Sequence, residues 1–229
     1  MAEAEKDILD RVKTETIALR YYLQGRGFTM ALEAMEFAKS YHQGTRKDGI
    51  TPEFFHQVSM ANFARTLVSG LRHPEEVFAT IFLHDAVEDG GLAVAEIRRR
   101  FSDRVADAVD ALSKVIGGVK RSPADVRRMI EADPVASVVK GIDRANNQGS
   151  MLGVFSLEKQ VEYIEETEGF ILPILKQGRR SFPDQEPVYE NIKHLLTREI
   201  RLLRALHAEI RAREAEIEGL HEHAAGPDI

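Results

Sequence analysis

Apolar residues recur along this chain at the three-to-four-residue spacing of an amphipathic helix, and sustained period-two alternation is hard to find. The pattern predicts an all-α protein. A first helix is expected over about 5–23. In MALEAMEFAKSYHQG, Ala31, Ala34, Met35 and Ala38 fall on one stripe that Gly44 closes. After the loop TRKDGIT, Thr51 and Pro52 fit the N-cap and first turn of a third helix. A fourth is expected from Pro74 to about Asp89, where Gly90-Gly91 stops it, and two more over 93–101 and 103–115.

Gly117-Gly118 then opens a basic loop. Ser122-Pro123 and Asp133-Pro134 each read as an N-cap followed by proline at the first helical position, so helices are expected over about 123–132 and 134–147. The stretch LEKQVEYIEETEGFILPILKQG reads as a long helix kinked or ended near Pro173, with RRSFPDQEP as a polar connector. From Pro187 to about His223 a highly charged helix carries Val188, Ile192, Leu195, Leu202, Leu206, Ile210 and Ile217 on roughly one side. Such a helix either packs back on the domain or pairs with another chain, giving a homo-oligomer. The expected organisation is one domain over 1–178, with its core at about 30–175, and a connector with a long C-terminal helix over 179–229.

Composition narrows the chemistry. A chain of 229 residues suffices for one well-buried domain, and 43% hydrophobic with 30% charged residues suits a soluble globular protein rather than a disordered one. No run of 18 apolar residues occurs and the N-terminus lacks a basic stretch followed by an apolar core, so a cytoplasmic protein without a membrane partner is expected. The absence of cysteine leaves only histidine and carboxylate as strong metal ligands. A formal charge of −6 argues against nucleic acid as partner, because phosphate-backbone binding needs a basic surface.

The strongest chemical signal is LHDAVED at 83–89. It sets His84 and Asp85 side by side where the stripe through Val77 and Ile81 would otherwise continue as core, and a buried imidazole or carboxylate needs a partner that a divalent cation can supply. Glu88 and Asp89 follow one turn later. His56 comes early in the third helix after Phe54-Phe55, and Asp143 lies in VVKGIDRANN, one turn beyond Val139 and one turn before Asn147. Together His56, His84, Asp85 and Asp143 give two nitrogens and two carboxylates, a set suited to Mn²⁺, Zn²⁺ or Fe²⁺, with Mn²⁺ the first choice for a mixed set with open positions. His73, His194, His207, His221 and His223 read as surface or helix-end residues, and Arg98-Arg99-Arg100 as a solvated face.

The order AKSYHQGTRKDG, FFHQV, LHDAVED, ALSKV, VVKGIDRANN and EYIEET resembles the hydrolase domain of RelA/SpoT homologues and the small alarmone hydrolases, over about 30–175. That resemblance implies an HD-domain helical bundle and removal of the 3′-pyrophosphate from (p)ppGpp with Mn²⁺ as cofactor. It implies that His56, His84, Asp85 and Asp143 hold the metal, that Glu88 and Asp89 position and deprotonate the attacking water, and that Arg46 and Lys47 lie over the nucleotide. Asn147 matches the asparagine near the ribose and base. Lys140 and Arg144 are further cations available to polyphosphate, and equally readable as salt-bridge partners within the fold. Two positions depart from the family pattern: Gln57 stands where proline is usual, and QGSML with Ser150 follows Asn147. Both border the nucleotide pocket, so an adenosine alarmone such as (p)ppApp or the 2′-phosphate of NADPH stays open as substrate; a dNTP-directed enzyme on the same scaffold is a further alternative, and the long helix over 187–223 leaves open a nucleotide-sensing or interaction module without catalysis. The length leaves no room for a second catalytic domain, and a hydrolase without a synthetase domain is expected.

Overall fold

The structure is a computed structural model that describes residues 2–88 and 91–224, with the backbone alone for 2, 4 and 218–224. Asp89, expected to act with Glu88, lies outside the described residues. In chain order the helices are α1 (Ala2–Arg26), α2 (Thr29–Tyr41), α3 (Phe55–Leu67), α4 (Pro74–Leu83), α5 (Val94–Arg100), α6 (Asp103–Leu112), α7 (Pro123–Ala132), α8 (Pro134–Gly149), α9 (Leu157–Glu166), α10 (Leu172–Ser181) and α11 (Glu186–Ala224). The fold is all-α, with one two-stranded hairpin among the described residues, β1 (Val115–Ile116) and β2 (Val119–Lys120).

Local signals set several starts. Ser122 and Ser156 accept from the backbone N–H groups of Asp125 and Lys159, and Asp133 accepts from those of Val135 and Ala136, which supplies acceptors to otherwise orphan donors at α7, α9 and α8. Elsewhere tertiary contacts override the pattern. Thr51 and Pro52 do not start α3. Thr45 and Pro52 form an antiparallel bridge, Arg46 N–H donates to Thr51 O at 2.8 Å and Glu53 N–H to Gly44 O at 2.9 Å, so the loop closes on itself and α3 begins at Phe55. The Gly117-Gly118 loop is the turn of the β1–β2 hairpin; both glycines have positive φ (56° and 79°), the combination a two-residue type I′ turn requires. The long helix near Pro173 is interrupted by a π-helical turn at Thr167–Ile171 before α10.

Helix α8 is the axis of the bundle, packing against α3, α4, α6, α7, α10 and α11. Its Val135, Ala136, Val138, Val139 and Ile142 are buried together with Phe78, Ile81 and Phe82 of α4 and Val58, Met60 and Ala61 of α3. Gly141 lets α10 and α11 approach its back: a Cβ there would come within 2.8 Å of Leu175 and 2.9 Å of Ile192.

The first part of α11 belongs to this core through Val188, Tyr189, Ile192 and Leu196. The segment 179–187 is also more ordered than a polar connector. Helix α10 continues to Ser181, and Gln185 is buried, accepting from Arg72 N–H at 3.0 Å and donating to Pro134 O at 2.9 Å. The expected apolar side of α11 holds only over its first turns. Farther along, the inward residues are Ile200, Leu203 and His207, whereas Leu202, Leu206 and Ile217 are exposed. A heptad-like stripe drifts around a straight helix of 3.6 residues per turn, and the domain contacts a different face. His207, expected at the surface, is buried with its Nε2 at 2.9 Å from Gln160 Oε1.

Candidate metal centre

Helix α4 ends at Leu83, a turn earlier than its apolar stripe predicts, so His84 is its C-cap and Asp85 to Glu88 form a turn. The cause is local. His84 Nδ1 lies 2.8 Å from the carbonyl of Ile81, an acceptor near the end of α4, and the chain tightens so that Ala86 N–H meets Leu83 O at 3.0 Å. A side chain that binds its own helix end both stops the helix and fixes its ring. Because a carbonyl can only accept, Nδ1 carries hydrogen and Nε2 points away from the helix.

That Nε2 meets two side chains from other parts of the fold. His56 from the first turn of α3 and Asp143 from the middle of α8 complete a buried trio with His84 in which one donor atom from each lies within 4.8 Å of the others. His56 Nε2 is 3.4 Å from Asp143 Oδ1, and the two imidazole rings are 5.4 Å apart, centre to centre. Asp85 is not part of the trio; its Oδ2 lies 2.9 Å from His84 Nε2. Asp143 is gripped from both sides, Oδ1 accepting from Asn147 Nδ2 at 2.6 Å and Oδ2 from Lys140 Nζ at 3.0 Å.

Electrostatics favour positive charge here. Burial works against a charged His84, but the Asp85 carboxylate beside it, helped by Asp143, raises its pKa to about 9. Burial would raise Asp143, yet the ammonium of Lys140 and the two imidazoles hold it well below the usual carboxylate range. Asp85 is likewise lowered, its burial outweighed by His84. Two carboxylates facing two imidazoles, with both Nε2 atoms turned inward, fit a divalent cation of the Mn²⁺, Fe²⁺ or Zn²⁺ class, which would be held by His56, His84 and Asp143 with Asp85 alongside.

The trio sits at the floor of a cleft of about 840 Å³. Arg46, Lys47, Lys114 and Lys140 are on its walls with Asn147, Ser150 and Gln57. The Arg46–Gly49 turn presents the first two rigidly: Gly49 adopts a φ of 75°, and Asp48 Oδ1 accepts from the N–H groups of Ile50 and Thr51 at 2.9 and 2.8 Å. Arg46 reaches Ser150 Oγ at 3.3 Å across the cleft, and the Lys47 ammonium lies 4.5 Å from the centre of the Phe155 ring. Glu88 lines the cleft too, with Oε1 accepting from the backbone N–H groups of Lys114 and Val115 at the foot of the hairpin.

Of the cations singled out in the sequence, Arg144 is not brought into the cleft. Its guanidinium is buried, paired with Glu166 at 2.6 Å and placed 4.8 Å from the centre of the Tyr163 ring, where it ties α8 to α9. Lys140 lines the cleft while engaged with Asp143.

Five contributors were not singled out from the sequence, one of them Lys114 on the cleft wall. Asn146 accepts from His56 Nδ1 at 2.7 Å in this arrangement. Phe155 and Tyr163, with ring centres 5.3 Å apart, form an aromatic wall. His42 is buried, 3.0 Å from the Gln57 amide and 3.6 Å from Glu53, its pKa lowered by burial against the pull of Glu53. The one available signal was DRANN itself, where Asn146 lies three residues from Asp143 and so shares its helix face.

Comparison with known proteins agrees with this geometry. The model of the family described as HD domain matches residues 34–147, which include the trio and Asp85. Among curated proteins, the chain is 32% identical over 147 residues to a guanosine-3′,5′-bis(diphosphate) 3′-pyrophosphohydrolase of Aquifex aeolicus, covering 62% of this chain and 20% of that one. It is 30% identical over 146 residues to a probable enzyme of the same name from Synechocystis, covering 60% and 19%, and 29% identical over 147 residues to a GTP pyrophosphokinase of Streptomyces coelicolor, covering 62% and 17%. The chain thus spans about a fifth of the length of these relatives. With the matched segment holding the buried His56, His84 and Asp143 cluster, the chain belongs to the HD-domain family and is similar within it to RelA/SpoT-type relatives.

Proposed function

We propose that this protein is a metal-dependent hydrolase that removes the 3′-pyrophosphate of (p)ppGpp or (p)ppApp, releasing pyrophosphate and the 5′-di- or triphosphate nucleoside. The observation that carries the reading is the sharing of one cleft by three unlike sets of groups: the His56, His84 and Asp143 trio, the cations Arg46, Lys47, Lys114 and Lys140, and the Phe155–Tyr163 wall. A polyphosphate needs the cations, a nucleobase has a flat face for the aromatic wall, and hydrolysis needs an activated water. The pyrophosphohydrolase names of two relatives support the same reaction class.

Mn²⁺ is the cation proposed, and when bound it would supply Lewis acidity that neutralises phosphate charge and makes water nucleophilic near neutral pH. In the reaction a water oxygen bonds to the phosphorus next to the 3′-oxygen, the bond from that phosphorus to the 3′-oxygen breaks, and the 3′-oxygen ends protonated. Glu88 is the proposed base, taking a water proton on its carboxylate, with Asp89 as its partner. Its anchorage on the amides of Lys114 and Val115 holds it at the cleft wall. Arg46 and Lys47 bind the nucleotide, Lys114 and Lys140 compensate phosphate charge, and Asn147 steadies Asp143 while facing the ribose side of the cleft. Arg144 acts from behind by fixing Tyr163.

The reading is tested by supplying (p)ppGpp, (p)ppApp, NADPH and dNTPs side by side with Mn²⁺. Pyrophosphate release from either alarmone is expected; phosphate from NADPH or triphosphate from dNTPs, with neither alarmone consumed, would move the protein to another HD activity. Glu88→Gln should leave Mn²⁺ affinity unchanged while lowering kcat roughly 10²- to 10⁴-fold. Equal losses in both would contradict the division of roles.

We also propose a second copy of the chain as partner of α11, on the strength of the exposed Leu202, Leu206 and Ile217 on the helix beyond the core. In light scattering the wild type should have the mass of a dimer, and Leu202→Glu with Leu206→Glu that of a monomer. A monomeric wild type would exclude the pairing.

A further inference from the structure

The aromatic wall of the cleft rests on residues that lie outside the cleft. Phe155 sits in the loop between α8 and α9, and its ring meets that of Tyr163 on α9. Met151 from the same loop and Ile164 of α9 are buried with Ile200 and Leu203 of α11 in a cluster separate from the main core, with Phe155 and Tyr163 packed against it. The main core takes α11 only as far as Leu196. The next stretch of that helix therefore packs under the wall.

Two directed hydrogen bonds join the same parts. Phe155 precedes Ser156, the N-cap of α9, so its carbonyl lies outside the helix ladder. Gln160 of α9, buried, donates to that carbonyl from Nε2 at 2.8 Å. A carbonyl can only accept, which settles the orientation of the Gln160 amide and turns its Oε1 the other way. There Oε1 meets Nε2 of the buried His207 of α11 at 2.9 Å. An amide oxygen also only accepts, so His207 Nε2 carries a hydrogen and donates it. Without that donor, Gln160 Oε1 would be a buried acceptor lacking its bond, and the cheapest relief is for Gln160 to leave Phe155 and turn toward water.

We propose that Gln160 and His207 are positioning residues for nucleotide binding: His207 orients Gln160, Gln160 holds the Phe155 carbonyl, and the Phe155 ring is thereby kept against Tyr163 as one flat wall. The proposal rests on reading that wall as the seat of the nucleobase. Neither residue lines the cleft or belongs to the metal trio, so their effect reaches the substrate only through Phe155. In consequence α11, beyond the part that closes the main core, sets the affinity for nucleotide and not the rate of the chemical step.

The test uses the full-length protein with Mn²⁺ and whichever of ppGpp and ppApp it hydrolyses better. Phe155→Ala should raise KM roughly 5- to 100-fold, the worth of one base stacked on an aromatic ring. His207→Leu should capture part of that, raising KM roughly 3- to 30-fold with kcat and Mn²⁺ affinity close to wild type. His207→Gln, whose amide NH₂ can take the place of Nε2–H, should restore KM. Added to Phe155→Ala, His207→Leu should change KM no further, because its effect passes through that ring. Gln160→Leu, which removes both bonds, serves if His207→Leu fails to fold. An unchanged KM in His207→Leu, a loss that adds to that of Phe155→Ala, or equal falls in kcat and Mn²⁺ affinity would overturn the relay. Hydrogen exchange needs no substrate: amides of 151–160 should exchange faster in His207→Leu than in the wild type or His207→Gln, with α3 and α8 unaffected. That pattern in a protein that hydrolyses neither alarmone would overturn the proposed function and leave the hold on the loop standing, whereas unchanged exchange would overturn the hold itself.

Discussion

Asp143→Asn is expected to abolish Mn²⁺ binding and to lower alarmone hydrolysis by about a thousandfold or more, since it removes the carboxylate on which the centre converges. The change keeps the size of the side chain but not its charge. In the wild type that charge faces His56 at 3.4 Å, Lys140 at 3.0 Å and the Asn147 amide at 2.6 Å, all in a buried setting. Loss of metal binding is therefore not the only consequence. The Lys140 side chain, 13% exposed, is left with an ammonium that has lost its counter-charge, and breaking a buried pair from one side typically costs about 3–5 kcal/mol. Lys140→Met in the same background should recover most of that stability and none of the metal binding. Urea denaturation and calorimetry on the single and double variants separate the two effects. Recovery of metal binding in the double variant would mean that Asp143 serves Lys140 and not a cation.

The second large effect is expected far from the cleft. Tyr189→Ala should destabilise the protein by about 3–5 kcal/mol, the range for emptying a large buried aromatic site. Tyr189 is 1% exposed, and its hydroxyl lies 2.8 Å from both Ser137 Oγ of α8 and Gln185 Nε2. Burial pushes its phenol up to about 12, so it stays neutral wherever the protein is folded near neutral pH. The ring also fills the space left by Gly178, where a Cβ would approach within 2.7 Å. Tyr189→Phe removes only the hydroxyl and should cost about 1 kcal/mol. Equilibrium urea unfolding measures both. A loss below that of the Phe variant would mean that α11 is an attachment to the bundle and not one of its walls.

Helices whose starts depend on neighbouring residues were legible in the sequence. Ser122-Pro123 and Asp133-Pro134 carry their capping oxygens and pre-set backbone within two residues, and α7 and α8 begin where those pairs stand. Features that depend on a distant partner were not. The end of α4 follows from where the His84 ring points, and hydropathy cannot show a ring nitrogen taking a carbonyl from its own helix. The closure of the Arg46–Gly49 turn by Thr45 and Pro52 hid behind a proline equally suited to a helix start.

The candidate site divides in the same way. His56, His84 and Asp143 stood out because they are polar residues at core positions of apolar stripes, and they meet. Asn146 did not stand out, because its role is a contact across 90 residues of chain. Arg144 and Lys140 look alike in VVKGIDRANN, yet a single turn of α8 sends one toward Glu166 and leaves the other on the cleft wall. The long α11 shows the limit of periodicity alone: it predicted an apolar side but not which residues the bundle would cover.

The most direct test of the central claim is pyrophosphate release from (p)ppGpp and (p)ppApp by wild-type protein stripped with a chelator and reloaded with Mn²⁺. Release equimolar with the 5′-di- or triphosphate nucleoside, absent after stripping and restored by Mn²⁺, is predicted for at least one of the two. Folded protein that binds Mn²⁺ and releases no pyrophosphate from either would contradict it.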